Sequence, residues 1–209
     1  MTAWVVKLGG SVYNSPELPK WLDVIAGTGA GKVILVPGGG PWADEVRTAQ
    51  KIDGFDDRTA HRKALLAMEQ YGQVLARMRS NLAPASSVAG IKQVLQQKQI
   101  AVWMPYAMVV EEPSIEASWD VTSDSLAAWL TSRLDASGLM LIKSVQMDEL
   151  QPGIAELVRL GWVDQAFARF ASGIHVPIIV FGLGGQQAAL ELLASPADEN
   201  RFPVARLNI

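Results

Sequence analysis

The feature that most constrains this chain is an alternation of short apolar runs with longer segments of helical period. Apolar runs at Ala3 to Lys7, Val33 to Val36, Ala101 to Met104, Leu139 to Lys143 and Val176 to Phe181 read as strands. Helical spacing marks Leu18 to Ala26, a stretch opening near Pro41, Asp57 to Met78, Ile91 to Gln97, Ser123 to Leu134, Ile154 to Phe170 and Gln186 to Leu193. A last strand is expected near Val204 to Leu207. Strands this short and this uniformly apolar are buried on both faces, which predicts an α/β fold of three layers, α/β/α, around a largely parallel central sheet. Ligands of such sheets bind beyond the carboxyl ends of the strands, so the residues following the first, second and fourth of these runs are the places to look.

Two of those places are rich in glycine. The first run ends in VVKLGGSVY, with Lys7 closing the strand and Gly9, Gly10 and Ser11 making the turn. The second ends in VILVPGGGPW, with Gly38, Gly39 and Gly40 leading into a candidate helix. Glycine lets phosphate oxygens approach backbone N–H groups, a helix start adds favourable dipoles, and a lysine adds positive charge. The plain alternative is that these glycines only permit tight turns. Neither turn has the Walker A pattern, and no G-x-G-x-x-G follows the first strand, which counts against a dinucleotide-dependent oxidoreductase.

Composition narrows the classes further. With 18 basic and 21 acidic residues the net charge is -3, so no electrostatic case exists for nucleic acid as a partner. Cysteine is absent, which excludes disulfides, thiolate metal sites and a cysteine nucleophile. No apolar stretch approaches membrane-spanning length and no basic segment precedes an apolar run at the N-terminus, so a cytoplasmic protein without membrane contact is expected.

The segment SWDVTSDSLAAWLTSRL places Asp120 and Asp124 four residues apart at a helix start, with Thr122 and Ser123 between them. If helical geometry extends that far, both carboxylates share a face, although helix capping accounts for one or two of these residues. DDRTAHRKALLAMEQYGQVLA reads as one amphipathic helix with an apolar stripe through Leu65, Met68, Gly72 and Leu75. His61 and Arg58 extend that stripe toward the helix start, where Arg58 is suited to an anionic acceptor. A solvated helix end with a hydrogen-bonded histidine is the alternative.

Taken together, KLGGS, PGGG, VTSDSLAAWL, VPIIVFGLGG and ARLNI resemble the amino acid kinase family over nearly the whole chain. The resemblance implies a single domain with the carbamate kinase-like fold, its acceptor half near residues 1–120 and its nucleotide half near 121–209. It implies ATP and Mg²⁺, the metal held mainly through the nucleotide phosphates, a small phosphorylated acceptor, and a homo-oligomer. Carried over by position, Lys7, Asp124 and Lys143 would be catalytic. Gly9, Gly10, Ser11, Thr122, Ser123, Lys143 and Asp164 would bind nucleotide phosphate. Gly38, Gly39, Gly40, Arg58, His61 and Asp120 would meet the acceptor, with Asp120 pairing an acceptor ammonium. The stretch GWVDQAF offers Asp164 where carboxylate-phosphorylating members carry a second lysine, which makes a phosphate acceptor the better expectation. AHRKALLAMEQYG with SWDVTSDSLAAWL is most similar to the branch acting on an aminomethylfuran methyl phosphate in methanofuran and methylofuran biosynthesis.

Overall fold

The computed structural model of the chain describes residues 3–146 and 152–194. Six strands, β1 (Trp4–Leu8), β2 (Val33–Pro37), β3 (Leu82–Ala85), β4 (Ile100–Trp103), β5 (Gly138–Ile142) and β6 (Ile178–Phe181), form one sheet in the order β3-β4-β2-β1-β5-β6. Every pairing is parallel. The helices are α1 (Leu18–Thr28), α2 (Gly40–Asp53), α3 (Asp57–Met78), α4 (Val88–Gln96), α5 (Tyr106–Val109), α6 (Ser123–Leu134), α7 (Ile154–Arg159), α8 (Phe167–Ala171) and α9 (Gln186–Ala194).

Side-chain parity along the strands builds the layers. Val5, Ile34, Val36, Leu139, Leu141 and Val180 point to the face covered by α4, α6, α7 and α8. Trp4, Val6, Leu8, Leu35, Met140 and Ile142 point to the opposite face, covered by α1 and α9. Each fully buried aliphatic side chain contributes roughly 1.5–3 kcal/mol through removal of apolar surface from water, so both faces act as core. The three-layer parallel architecture expected from the strand pattern is therefore present. Among the described residues, no helix is long and apolar enough to cross a membrane.

Two features differ from the sequence expectation and a third is untested. The strand β3, LAPA, was not anticipated because Pro84 interrupts its apolar pattern; β3 lies at the sheet edge, where a missing ladder donor is tolerated. The single helix expected over Ile154 to Phe170 is two. Gly161, at φ +67, donates to the Val158 carbonyl while Trp162 donates to that of Leu157, and this paired closure ends α7 before α8 begins. The last strand expected at Val204 to Leu207 lies outside the described residues.

Candidate active site

The site begins with strand parity. Lys7 follows Val5 on the same face of β1, and that face meets α6. Two residues beyond the register partner of Lys7, Leu141, comes Lys143, on the same face of the neighbouring strand. At about 3.3 Å per residue the two lysines are thus offset by about 7 Å along the sheet, close to one lysine side-chain length. Asp124, in the first turn of α6, stands between them. Its Oδ1 lies 2.8 Å from Lys7 Nζ and its Oδ2 lies 2.9 Å from Lys143 Nζ.

This triad is withdrawn from water. Lys7 is 3% exposed and Asp124 4%, and the Lys143 side chain is 15% exposed. Burial pushes the Lys7 ammonium down to about 8; the Asp124 carboxylate opposes the shift and the neighbouring Lys143 charge adds to it. Burial also pushes the Asp124 carboxyl up, but the two ammonium groups outweigh it and hold the carboxyl below its ordinary range. One carboxylate between two ammonium groups leaves a net positive charge facing the cavity, which suits an incoming anion.

The glycine turns close the head of the same cavity. They pack backbone against backbone: a Cβ at Gly38 would lie 2.3 Å from the Gly10 nitrogen, and one at Gly10 would lie 2.4 Å from the Gly40 nitrogen. Gly10 and Gly38 are therefore needed for the two turns to touch, beyond any role toward a ligand. Gly9 donates to the Ile142 carbonyl at 3.0 Å and the Ser11 and Ser144 hydroxyls lie 2.6 Å apart, which ties the first turn to the end of β5. Gly39 precedes α2 and no side chain caps that helix start, where Pro41 has no N–H to satisfy.

The cavity holds about 360 Å³. Its head is formed by Lys7, Gly9, Gly10, Ser11, Gly39, Gly40, Ser123, Asp124 and Lys143, and Thr122 also lines it. One wall is α2, with Asp44 and Arg47; another is α3, with Asp57, His61, Leu65 and Met68; the segment before α6 supplies Ser118, Trp119 and Val121. Arg47 pairs with Asp44 at 3.0 Å and lies over the Trp119 ring at 4.3 Å, while the Trp119 indole N–H donates to Gln50 at 2.7 Å. Burial pushes the His61 imidazole down, so at neutral pH it lines the wall as an uncharged ring.

Four residues singled out in the sequence stand elsewhere. Arg58 is exposed and pairs with Glu111 at 2.9 Å, and Glu111 also accepts from Arg62. The cavity face of α3 runs through Asp57, Ala60, His61, Ala64 and Leu65, one position from the stripe extended to Arg58, and about 100° per residue turns Arg58 away. Asp120 precedes α6 rather than lying within it, so the shared helical face with Asp124 does not form, and its side chain is exposed outside the cavity lining. Asp164 is taken up with α6: it accepts from Thr122 N and Oγ1, both at 2.8 Å, from Ser125 N at 3.0 Å and from the Ser125 hydroxyl. That carboxylate organises a helix start rather than facing a phosphate. Gly38 is buried behind the turn instead of lining the cavity. Conversely, Asp44, Arg47 and Trp119 were not picked out. The available signal was a polar i, i+3 pair one turn beyond PGGG, on the side of α2 that leads away from the glycines.

A parallel sheet with two lysines, a bridging carboxylate and two glycine turns at its strand ends defines an α/β protein with a cationic, glycine-lined cavity at the carboxyl edge of the sheet. A family model described as the amino acid kinase family matches residues 2–147, and the chain belongs to that family. It is 28% identical over 142 residues to the [5-(aminomethyl)furan-3-yl]methyl phosphate kinase of Methanocaldococcus jannaschii, a match covering 68% of this chain and 65%, just under two thirds, of that protein. Its fold is also that of the uridylate kinase from Archaeoglobus fulgidus, with a TM-score of 0.67 at 16% identity over 91% of this chain and 95% of the other. The isopentenyl phosphate kinase structure gives a TM-score of 0.59 at 13% identity over 92% and 96%.

Proposed function

We propose that this protein is an ATP-dependent kinase that transfers the γ-phosphoryl group to a small acceptor already bearing a phosphate. The acceptor favoured is (5-(aminomethyl)furan-3-yl)methyl phosphate, with its diphosphate as product. The observation that carries the reading is Asp124 held between Lys7 and Lys143 at the head of a cavity closed by two glycine turns. An oxygen of the acceptor phosphate attacks the γ-phosphorus; that P–O bond forms as the bond to the departing ADP oxygen breaks. Lys7 and Lys143 meet the charge on the transferring group, which is the main protein contribution such transfers need. A phosphate monoester, with its second pKa near 6, is already ionised at neutral pH and needs no general base. Asp124, occupied on both oxygens by lysines, is not free to act as one.

The backbone at Gly39 and Gly40, at the start of α2, suits the acceptor phosphate, and Gly9, Gly10 and Ser11 suit the γ-phosphate. Among the described residues there is no group of three or more His, Asp or Glu side chains arranged for a metal ion. Mg²⁺ commonly binds through one or two carboxylates and substrate phosphates, and on this reading it would ride mainly on the nucleotide phosphates and supply part of the charge neutralisation there. For the homo-oligomer, the exposed Ile52 of α2 and Leu66 of α3 are available apolar contacts, and sedimentation of the purified protein tests it.

The test of the reaction is an acceptor panel with ATP: the aminomethylfuran methyl phosphate, uridine monophosphate and isopentenyl phosphate, scored by ADP release and phosphorus NMR of the product. Diphosphate formation from the first is expected. Turnover of only the latter two would reject that acceptor while retaining the kinase, and ATP binding without transfer to any of them would reject catalysis.

A further inference from the structure

The cavity has a far end that phosphoryl transfer does not use, and its charges are unevenly matched. Three carboxylates line the cavity: Asp124, Asp44 and Asp57. Asp124 is neutralised by two lysines. Asp57 accepts a hydrogen bond from the side chain of Gln50, which lies ten residues beyond Gly40 on α2. At 1.5 Å per residue, Gln50 is about 15 Å from the start of α2. Asp44 is four residues beyond Gly40, about 6 Å along the same axis by the same rise.

A phosphate at the α2 start and a cationic group across one five-membered ring are separated by well under 15 Å. Asp44 is within that reach, and Asp57, whose partner Gln50 sits further along α2, is the second carboxylate of the cavity from which it has to be told apart. Asp120, exposed and outside the lining, is on neither path. The wall beside Asp44 is also fixed in place: Arg47 bridges from Asp44 to the Trp119 ring, and Gln50 holds the indole N–H. Trp119, with Arg47 over one face of its ring, offers the cavity its remaining apolar surface in an orientation set by α2, next to a carboxylate whose present partner is that half-exposed i, i+3 arginine. Exposed pairs of this kind are worth little, so an acceptor cation can share or replace Arg47 on Asp44 at small cost.

Resting on the kinase reading above, we infer that Asp44 determines acceptor choice by pairing with a positively charged amine carried on a ring that packs along Trp119. The acceptor class is a ring with a phosphate at one end and a protonated amine at the other. Arg47 and Trp119 position that ring, and neither touches the transferring phosphoryl group.

The experiment compares the aminomethylfuran methyl phosphate with its hydroxymethyl analogue, in wild type, Asp44→Asn, Asp57→Asn and Asp120→Asn. Asp44→Asn is expected to raise KM for the amine about two- to fivefold, with KM for ATP and kcat for the hydroxymethyl analogue unchanged, the size expected when one exposed ion pair is lost. Asp57→Asn and Asp120→Asn are expected to preserve the discrimination between the two acceptors. Equal preference for the amine in wild type and Asp44→Asn, or its loss in Asp57→Asn or Asp120→Asn instead, overturns the inference and leaves the kinase intact. If no acceptor is phosphorylated at all, the kinase reading fails, and calorimetric binding of the amine phosphate decides the inference separately: weakening by Asp44→Asn supports it and unchanged binding overturns it.

Discussion

At the scale of single residues, the two buried lysines and Asp124 make opposite demands on stability and on turnover. Lys7→Ala removes one ammonium and leaves Asp124 paired with Lys143, so folding is expected to survive while turnover falls on the order of a hundredfold or more, the usual loss for a transition-state charge stabiliser. Steady-state rates beside a melting curve check this. Asp124→Asn leaves two buried ammonium groups facing a neutral amide, at a cost on the order of 3 kcal/mol, and Tm is expected to fall by roughly 6–12 °C for a chain of this size. The depressed Lys7 value has a definite sign. In the unfolded chain the group titrates near 10.5 and in the folded chain at about 8, so the unfolded state holds the additional proton between those values. Stability therefore rises as pH increases through that window, because the penalty of a buried charge disappears. Activity moves the other way: kcat/KM for ATP is expected to decline above about pH 8 as the Lys7 charge is lost, and Lys7→Arg removes that inflection whatever its absolute rate. A pH profile of wild type and Lys7→Arg decides it.

At the scale of elements, the start of α6 shows how a cavity-lining residue and a structural one can stand side by side. Asp124 reaches outward to the lysines while Asp164, from the turn before α8, collects the backbone N–H groups of Thr122 and Ser125. Asp164→Ala strands those donors and is expected to cost about 2 kcal/mol, or a Tm loss of roughly 4–8 °C. KM for ATP should change less than threefold, and a large rise in that constant with Tm unaltered would restore Asp164 as a nucleotide contact. The glycine turns behave as a second such unit. Gly38→Ala inserts a methyl 2.3 Å from the Gly10 nitrogen, so one turn must move and the anion site moves with it; lower stability and weaker ATP binding are expected together, by calorimetry of both.

At the scale of the whole molecule, the proposed kinase reaction would have both its ends on one sheet, because β1 pairs with β2 on one side and β5 on the other. MgATP bridging these strand ends should stabilise the fold as a unit: at a hundred times its Kd the expected gain is about 2.7 kcal/mol, a rise in Tm of roughly 5–11 °C, and Lys7→Ala should diminish it. The sequence by itself determined the parallel α/β architecture and the two glycine turns, because strand pattern and turn chemistry are local properties that survive in one dimension; Lys7, Asp124 and Lys143 were singled out as catalytic by family resemblance, and the fold brings the three together. It misplaced Arg58 because one residue of error along a helix rotates a side chain by about 100°, and Asp120 because α6 starts only after it, at Ser123. Asp44, Arg47 and Trp119 could not be read in advance: they become a wall only when α2 and the segment before α6, some seventy residues apart in the chain, are brought together. Only the tertiary structure decides which polar groups share a cavity, because that depends on the packing of helices against the sheet and not on spacing within any one of them.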